Sequence, residues 1–331
     1  MEDKTLVSVH MVTYNHEPFI REAIEGVLKQ KTSFQYELLI GEDCSTDRTL
    51  EICKEYALKY PHIIKLHARE KNMGMVPNFY DLLLKCKGKY VAFCEGDDVW
   101  IDEYKLQKQV EFLEKNPDFS GACSKVKLID ENSNEHVNSK NFLKHLKTIN
   151  ESIDISLDYY LSRPYSEKEL IFTPTLIVRK EVIPFDKLPN YSMFSDSVIR
   201  HHSLVKGSIK YFKDEMAAYR QHSGGITHTQ HMTKHFLVIH ELELLYKDLY
   251  ESSTSEHLKE KIRKKIQSFQ VIKILWEKKN LFIKIFKYCL MSLTLVIKKY
   301  SSFKFFFVNL KIWFYVNYPK VHKTLKRLFK R

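Results

Sequence analysis

The chain has 331 residues, enough for one large domain with an appendage or for two domains. A hydrophobic content of 44% with nine Gly and nine Pro describes a packed globular protein and excludes a disordered one, and the six cysteines show no CxxC and no metal-ligand spacing. The net charge of +12 is uneven: of 53 basic and 41 acidic residues, 19 and one (Glu277) fall in 261–331, which leaves 1–260 at −6.

The cysteines, at 44, 53, 86, 94, 123 and 289, read as reduced, packed thiols of a cytosolic protein. The opening "MEDKTLVSVHMVTYN" carries two acids ahead of its apolar run, the wrong charge for a signal peptide, and reads as a first strand. From there short apolar runs alternate with helical patterns, which predicts parallel βαβ units. "LVSVHMV" is a strand, and "FIREAIEGVLKQ" has helical spacing of its apolar residues. "YELLIGED" is the next strand, and "STDRTLEICKEYALKY" a helix with Ser45 or Thr46 as its cap. "HIIKLHA" is a third strand, "VPNFYDLLLKC" a helix opening with Pro77, "KYVAFC" a fourth strand, and "YKLQKQVEFLEKNP" a helix stopped by Asn116-Pro117.

From about 150 to 230 the pattern weakens. "ELIFTPTLIVRKEVI" is strand-like, "SMFSDSVIRHHSLVKG" a short helix closed by Gly207 with His201 and His202 on its surface, and "IKYFKDEMAAYR" extended. After 232 the chain reads as helical, and after 261 as basic and aromatic. The longest uncharged stretch there, Tyr288–Ile297, has ten residues, whereas a spanning helix needs about 20. Lysines interleaved with Phe, Trp, Tyr and Ile suit helices lying in an anionic membrane surface. An amphipathic bundle closing the domain is the main alternative, and RNA binding a weaker one.

Two predicted strands end in acids. "YELLIGED" supplies Glu42 and Asp43, and "KYVAFCEGDD" supplies Glu95, Asp97 and Asp98. In open α/β sheets ligands bind beyond the carboxyl ends of the strands, so these acids are expected on one rim. Solvated or helix-capping acids are the plain alternative. Three acids in four residues after an apolar strand point instead to a divalent cation, Mg²⁺ or Mn²⁺, with substrate phosphates completing its ligands. Gly96 between them allows close backbone approach. No GxxxxGK[ST] is present and "VTYNHEPF" has no glycine, so P-loop and dinucleotide fingerprints are absent.

With "TYNHEPFIREAIEGVLKQ", "GEDCSTDRT" and "CEGDDVWIDEYKLQKQVEFL" in this order, the chain resembles the family 2 glycosyltransferases of the GT-A fold over roughly residues 5–230, most closely the bacterial members that build capsule and O-antigen polysaccharides. The resemblance implies an α/β fold, a Rossmann-like, mostly parallel central sheet flanked by helices, with a basic helical C-terminal extension. It implies a glycosyltransferase domain over 1–235, with a nucleotide-binding half of about 1–130 and an acceptor half of about 131–235, followed by a membrane-associating region over 236–331. By the same resemblance Thr13, Tyr14 and Asn15 contact the nucleotide, Asp43 the pyrimidine ring, and Asn72 and Gly74 line the donor pocket. Glu95-Gly96-Asp97 falls on the family's DxD. Asp97 is then the direct metal ligand, with Glu95 near ribose or metal and Asp98 in support. "MFSDSVIRHHSLVKG" places Asp196 as the general base, with Ser195 where the family usually has Glu. "YRQHSGG" places His222 at the diphosphate or metal.

The activity so implied is an inverting, metal-dependent transfer from a nucleoside-diphosphate sugar, a UDP-sugar foremost, to a glycan or polyprenyl-linked acceptor. The expected setting is peripheral, at the cytoplasmic face of the plasma membrane, held there by 261–331. Nucleic acid is not an expected partner, and a homodimer is left open. Two other classes remain in view: a nucleotidyltransferase, and a membrane-bound scaffold that keeps the fold without the chemistry.

Overall fold

The protein is described here from a computed structural model, which describes residues 5–135, 149–163, 170–192, 195–225, 232–267 and 270. The basic, aromatic segment 271–331, and with it most of the expected membrane-associating region, lies outside the described residues. Among the described residues no helix is long and apolar enough to cross a membrane.

The first half follows the expected alternation. β1 (Val7–Thr13), β2 (Tyr36–Glu42), β3 (Ile64–Ala68) and β4 (Tyr90–Phe93) are joined by α1 (Ile20–Leu28), α2 (Thr49–Lys59) and α3 (Met75–Lys85). The strands pair in parallel in the order β3-β2-β1-β4. Every residue of β1 and β4 is buried, as parallel strands covered on both faces require. α1 presents Ile20, Ala23, Ile24 and Val27 to the sheet, one stripe at helical spacing.

Two helix starts differ from expectation. Ser45 and Thr46 lie in the loop ahead of α2, where Asp47 Oδ1 accepts the Thr49 N–H at 2.9 Å. α3 starts at Met75 rather than Pro77, directly after Gly74, whose φ of +86° only glycine adopts freely.

Beyond β4 come β5 (Val99–Trp100), α4 (Lys105–Lys115) and the eleven-residue β6 (Phe119–Ile129). Neither β5 nor β6 was legible in the sequence. β6 reads "FSGACSKVKLI", whose small and polar residues dilute any strand period. It is nonetheless central, antiparallel to β8 (Ile177–Arg179) and parallel to β9 (Ser208–Arg220). The strand-like 170–183 resolves into a 3₁₀ turn, Thr173–Thr175, then β8 and a second turn, Lys180–Val182. β7 (Ile153–Ile155) and β5 pair with β9, completing a sheet of nine strands among the described residues.

α5 (Leu157–Ser162), α6 (Ser195–Lys206), α7 (Met232–Ser252) and a helix α8 over 256–267 cover one face. Leu242, Leu245, Tyr246 and Leu249 of α7 and Ile262 of α8 join the same core as β6, β8 and α6. His201 and His202 are not surface residues: both are 4% exposed. The ring of His201 packs edge-on against Tyr160 at 5.1 Å, and its Nδ1 lies 2.7 Å from the Ser197 carbonyl oxygen. Helix periodicity could not show that α6 is covered on this side, because the cover comes from α5 and α7.

Lys105 is a buried cation on the apolar side of α4. Its Nζ donates to Gln109 Oε1 at 2.9 Å and sits 4.2 Å from the Trp100 ring centroid. Burial drives its pKa from 10.5 down to about 7, against the pull of Cys94, Cys123 and Asp102. Between pH 7 and 10.5 the unfolded chain therefore binds the extra proton, so folded stability rises with pH across that window. The slope is up to about 1.4 kcal/mol per pH unit. Lys105→Met is expected to remove this rise. Urea titrations of both proteins at pH 7 and 9.5 test it, and an equal difference at the two pH values would refute it.

Candidate active site

The rim beyond β1, β2 and β4 is assembled from loops that fasten one another. Asn15, held at a φ of +54°, accepts the Thr46 N–H on Oδ1 at 2.8 Å, while its own N–H donates to Ser45 Oγ. The His16 N–H donates to Thr49 Oγ1 at 2.9 Å, and the Glu17 N–H to Asp47 Oδ2 at 3.0 Å. The "TYN" and "STD" segments are thus one structural unit, and Tyr14 stands on it 42% exposed.

Asp43 closes the far side of this rim. It is buried, and its carboxylate accepts the N–H groups of Met73 (2.8 Å) and Gly74 (2.9 Å). Asn72 Nδ2 donates to the Asp43 carbonyl oxygen at 3.0 Å. Asp43 therefore shapes the 72–74 turn, a role its sequence position did not reveal.

The Glu95–Asp98 turn sits between these loops, β1 and β9. A Cβ at Gly96 would lie 2.6 Å from Thr13 Oγ1 and 3.0 Å from His16 Nδ1, so only glycine lets the acidic turn seat on β1. Asp97 faces two imidazoles. His222 Nε2 lies 3.1 Å and His16 Nε2 3.7 Å from Asp97 Oδ2. Burial works against the Asp97 charge, but His16 and His222 outweigh it and hold the carboxyl below its usual value. Burial likewise holds the His16 imidazole below 6.5, against the pull of Asp97.

Glu95 and Asp98 behave oppositely. Burial, followed by the charges of Asp97 and Asp196, raises Glu95 to about 8. Burial, followed by the charges of Asp97 and Glu95, raises Asp98 well above its ordinary range. Of the three crowded acids, Asp97 alone is held below its ordinary range. Asp98, 1% exposed, accepts the Arg220 N–H on Oδ1 at 2.9 Å, and its Oδ2 has no partner among the described residues.

Arg220, at the end of β9, braces this turn and was missed as a functional residue in the sequence. Its Nε donates to the Asp97 carbonyl oxygen (2.8 Å), Nη1 to the Asp130 carbonyl oxygen (3.1 Å) and Nη2 to Glu22 Oε2 of α1 (2.6 Å). The guanidinium also lies 4.9 Å from the Phe19 ring centroid. One buried side chain thereby ties β9, α1 and the loop after β6 to the backbone of the acidic turn.

Asp196 lies in the first turn of α6, on the same rim, near enough to raise the Glu95 pKa. Its Oδ2 accepts from Thr173 Oγ1 at 3.1 Å, with Arg200 Nη2 at 3.9 Å. Thr13, Asp43, Glu95, Asp97, Asp98, Asp196 and His222 are thus brought to one edge of the sheet. Among the described residues, one set of three groups can hold a metal: His16, Asp97 and His222, with ligand atoms all within 4.8 Å of one another. Glu95 is not part of that set, and His16 was not expected in it. One carboxylate with two imidazoles suits a divalent transition cation.

An open α/β sheet with carboxylates and imidazoles converging beyond the carboxyl ends of its parallel strands has the layout in which α/β proteins of this kind bind their ligands, and the fold is of the GT-A type. The family model for glycosyl transferase family 2 matches residues 8–183, and the chain belongs to that family. Rv1520 of Mycobacterium tuberculosis is 34% identical over 223 residues, covering 67% of this chain and 61% of Rv1520. This chain therefore spans about three fifths of the length of that relative. TuaG of Bacillus subtilis, whose name assigns it to teichuronic acid biosynthesis, is 37% identical over 110 residues, 33% of this chain and 42% of TuaG. The mannosyltransferase PcManGT of Pyrobaculum calidifontis, solved with GDP-Man and Mn²⁺, shares the fold. It has a TM-score of 0.55 and 13% identity, covering 97% of this chain and 84% of that one.

Proposed function

We propose that the chain is an inverting, metal-dependent glycosyltransferase of bacterial surface polysaccharide synthesis. It would move a sugar from a nucleoside-diphosphate sugar, a UDP-sugar foremost, to a hydroxyl of a glycan or polyprenyl-linked acceptor. The observation that carries this reading is the convergence of Asp97, with its two imidazoles, and Asp196 on the rim that also carries Thr13, Asp43 and Asn72. TuaG, named for teichuronic acid, and PcManGT, bound to a sugar nucleotide, are consistent with it.

In this reading Asp196 takes the proton of the acceptor hydroxyl. The oxygen forms a bond to the anomeric carbon from the face opposite the leaving group, and the bond from that carbon to the diphosphate oxygen breaks. The electron pair leaves with the nucleoside diphosphate. Tyr14 and Asn15 flank the base and phosphates, and Asp43 with Asn72 fixes the base side of the pocket. Mn²⁺ or Mg²⁺ held at Asp97 and His222 would supply positive charge for the leaving diphosphate. Glu95 and Asp98 shape the pocket around it.

A panel of sugar nucleotides with lipid-linked and glycan acceptors tests the reading through nucleoside diphosphate release and the anomeric configuration of the product by NMR. Release dependent on acceptor, with inversion, is expected. Retention of configuration overturns the inverting step, and no release with any donor overturns the activity. Residues 261–331 would hold the enzyme on an anionic leaflet, each lysine near the surface contributing about 1 kcal/mol. The full chain is expected to co-sediment with vesicles containing anionic lipid at low salt and to be released at high salt. Failure to bind at low salt removes the membrane part of the proposal alone.

A further inference from the structure

Within the proposed donor site, the structure assigns His16 as a third metal ligand beside Asp97 and His222, making a nitrogen-rich centre that selects Mn²⁺ over Mg²⁺. This rests on the reading above as regards which site the metal serves. It stands on geometry that neither the motif nor the family match supplies.

Three observations carry it. The first is proximity: His16 Nε2 and His222 Nε2 lie 3.7 and 3.1 Å from the same oxygen, Asp97 Oδ2, and the two rings meet nearly edge to face at 6.1 Å. A cation near Asp97 Oδ2 thus has two imidazole nitrogens within reach.

The second is preorganisation. The His16 backbone is pinned by its N–H bond to Thr49 Oγ1, and its carbonyl oxygen accepts the Phe19 and Ile20 N–H groups that open α1. Its Nδ1 edge lies against Gly96, where a Cβ would come within 3.0 Å, so Nε2 is the edge turned to Asp97. Phe19 packs 4.7 Å from the His222 ring and 6.4 Å from that of His16, which restrains both.

The third is the chemistry of the donors. Mg²⁺ takes hard oxygen ligands and keeps most of its waters, whereas imidazole favours first-row transition ions. A centre with one carboxylate oxygen and two nitrogens discriminates against Mg²⁺. Had Glu95 joined Asp97 in place of His16, the set would have been oxygen-rich and the preference weaker. Glu95 is absent from the set.

The test reads the metal rather than turnover. Full-length protein with UDP and Mn²⁺ is examined by pulsed EPR for ¹⁴N couplings from coordinated imidazole, and Mn²⁺ and Mg²⁺ affinities are measured by titration calorimetry. The wild type is expected to show two nitrogens, and His16→Ala and His222→Ala one each. Loss of an outer-shell partner alone typically costs about 10–100-fold in metal affinity, so His16→Ala is expected to weaken Mn²⁺ by at least that much while leaving Mg²⁺ within about threefold. His16→Gln, which keeps the volume and a polar end, is expected to match His16→Ala in the nitrogen count. A wild-type spectrum with one nitrogen that is unchanged in His16→Ala overturns the assignment and leaves the transferase reading intact. Equal losses of Mn²⁺ and Mg²⁺ in His16→Ala, with nitrogen couplings unchanged, mark a purely structural role and also overturn it. No Mn²⁺ binding with UDP present overturns it together with the metal dependence, a failure distinguished by whether transfer survives chelator.

Discussion

Asp97→Asn is expected to lower turnover by about 10³-fold or more, the rate equivalent of several kcal/mol of lost charge stabilisation at the leaving diphosphate. The substitution is nearly isosteric. Its amide can still meet His222 at the 3.1 Å separation seen for the carboxylate, and the backbone of the turn remains tied to Arg220 through the residue 97 carbonyl oxygen. The fold and the pocket walls should therefore survive, which circular dichroism and a urea midpoint close to wild type would verify. What is removed is the one acid of the trio whose surroundings favour the charged form, with His16 and His222 outweighing burial. Chelator should imitate the mutation in the wild type and do nothing further to the mutant. Wild-type turnover by Asp97→Asn, or a chelator effect of equal size in both proteins, would show that the reaction does not depend on this carboxylate.

Asp196→Asn is expected to cut kcat by about 10²–10⁴-fold, the usual contribution of a positioned base, with donor affinity unchanged. The asparagine oxygen can still accept from Thr173 Oγ1, and the 3.9 Å approach to Arg200 is too long to anchor the helix. A structural role for Asp196 would thus be largely preserved in the mutant, while a basic role would be lost. The two aspartates separate cleanly in their readouts. Asp97→Asn should abolish metal-stimulated donor binding, and Asp196→Asn should leave it intact while the chemical step fails. Near-wild-type kcat for Asp196→Asn would remove it as the base.

Arg220 shows why some of the machinery escapes motif reading. Arg220 lies within the recognised "YRQHSGG" element, yet its role was not legible there, because it contacts Glu22, Asp97 and Asp130, which lie far apart in the chain. A single sequence gives no hint that such a residue is buried, because arginine is ordinarily exposed. The same holds for Lys105, which the packed structure buries beside Trp100.

The sequence by itself determined the alternation of β1 to β4 with α1 to α3, because continuous apolar runs and 3.6-residue spacing are local properties of each segment. It also determined that acids end the strands β2 and β4 and that Gly96 must part them, since strand ends and glycine carry their meaning in place. Only the tertiary structure decided that β6, with its small and polar residues, would be a central strand, because its stability comes from pairing with β8 and β9. Likewise His16 meets Asp97 across 81 positions and His222 meets it across 125, through the seating of three loops on one sheet edge. Periodicity reports which side of an element is apolar; which elements then face each other follows from long-range packing, and the pairing of charge with imidazole in this site belongs to that level.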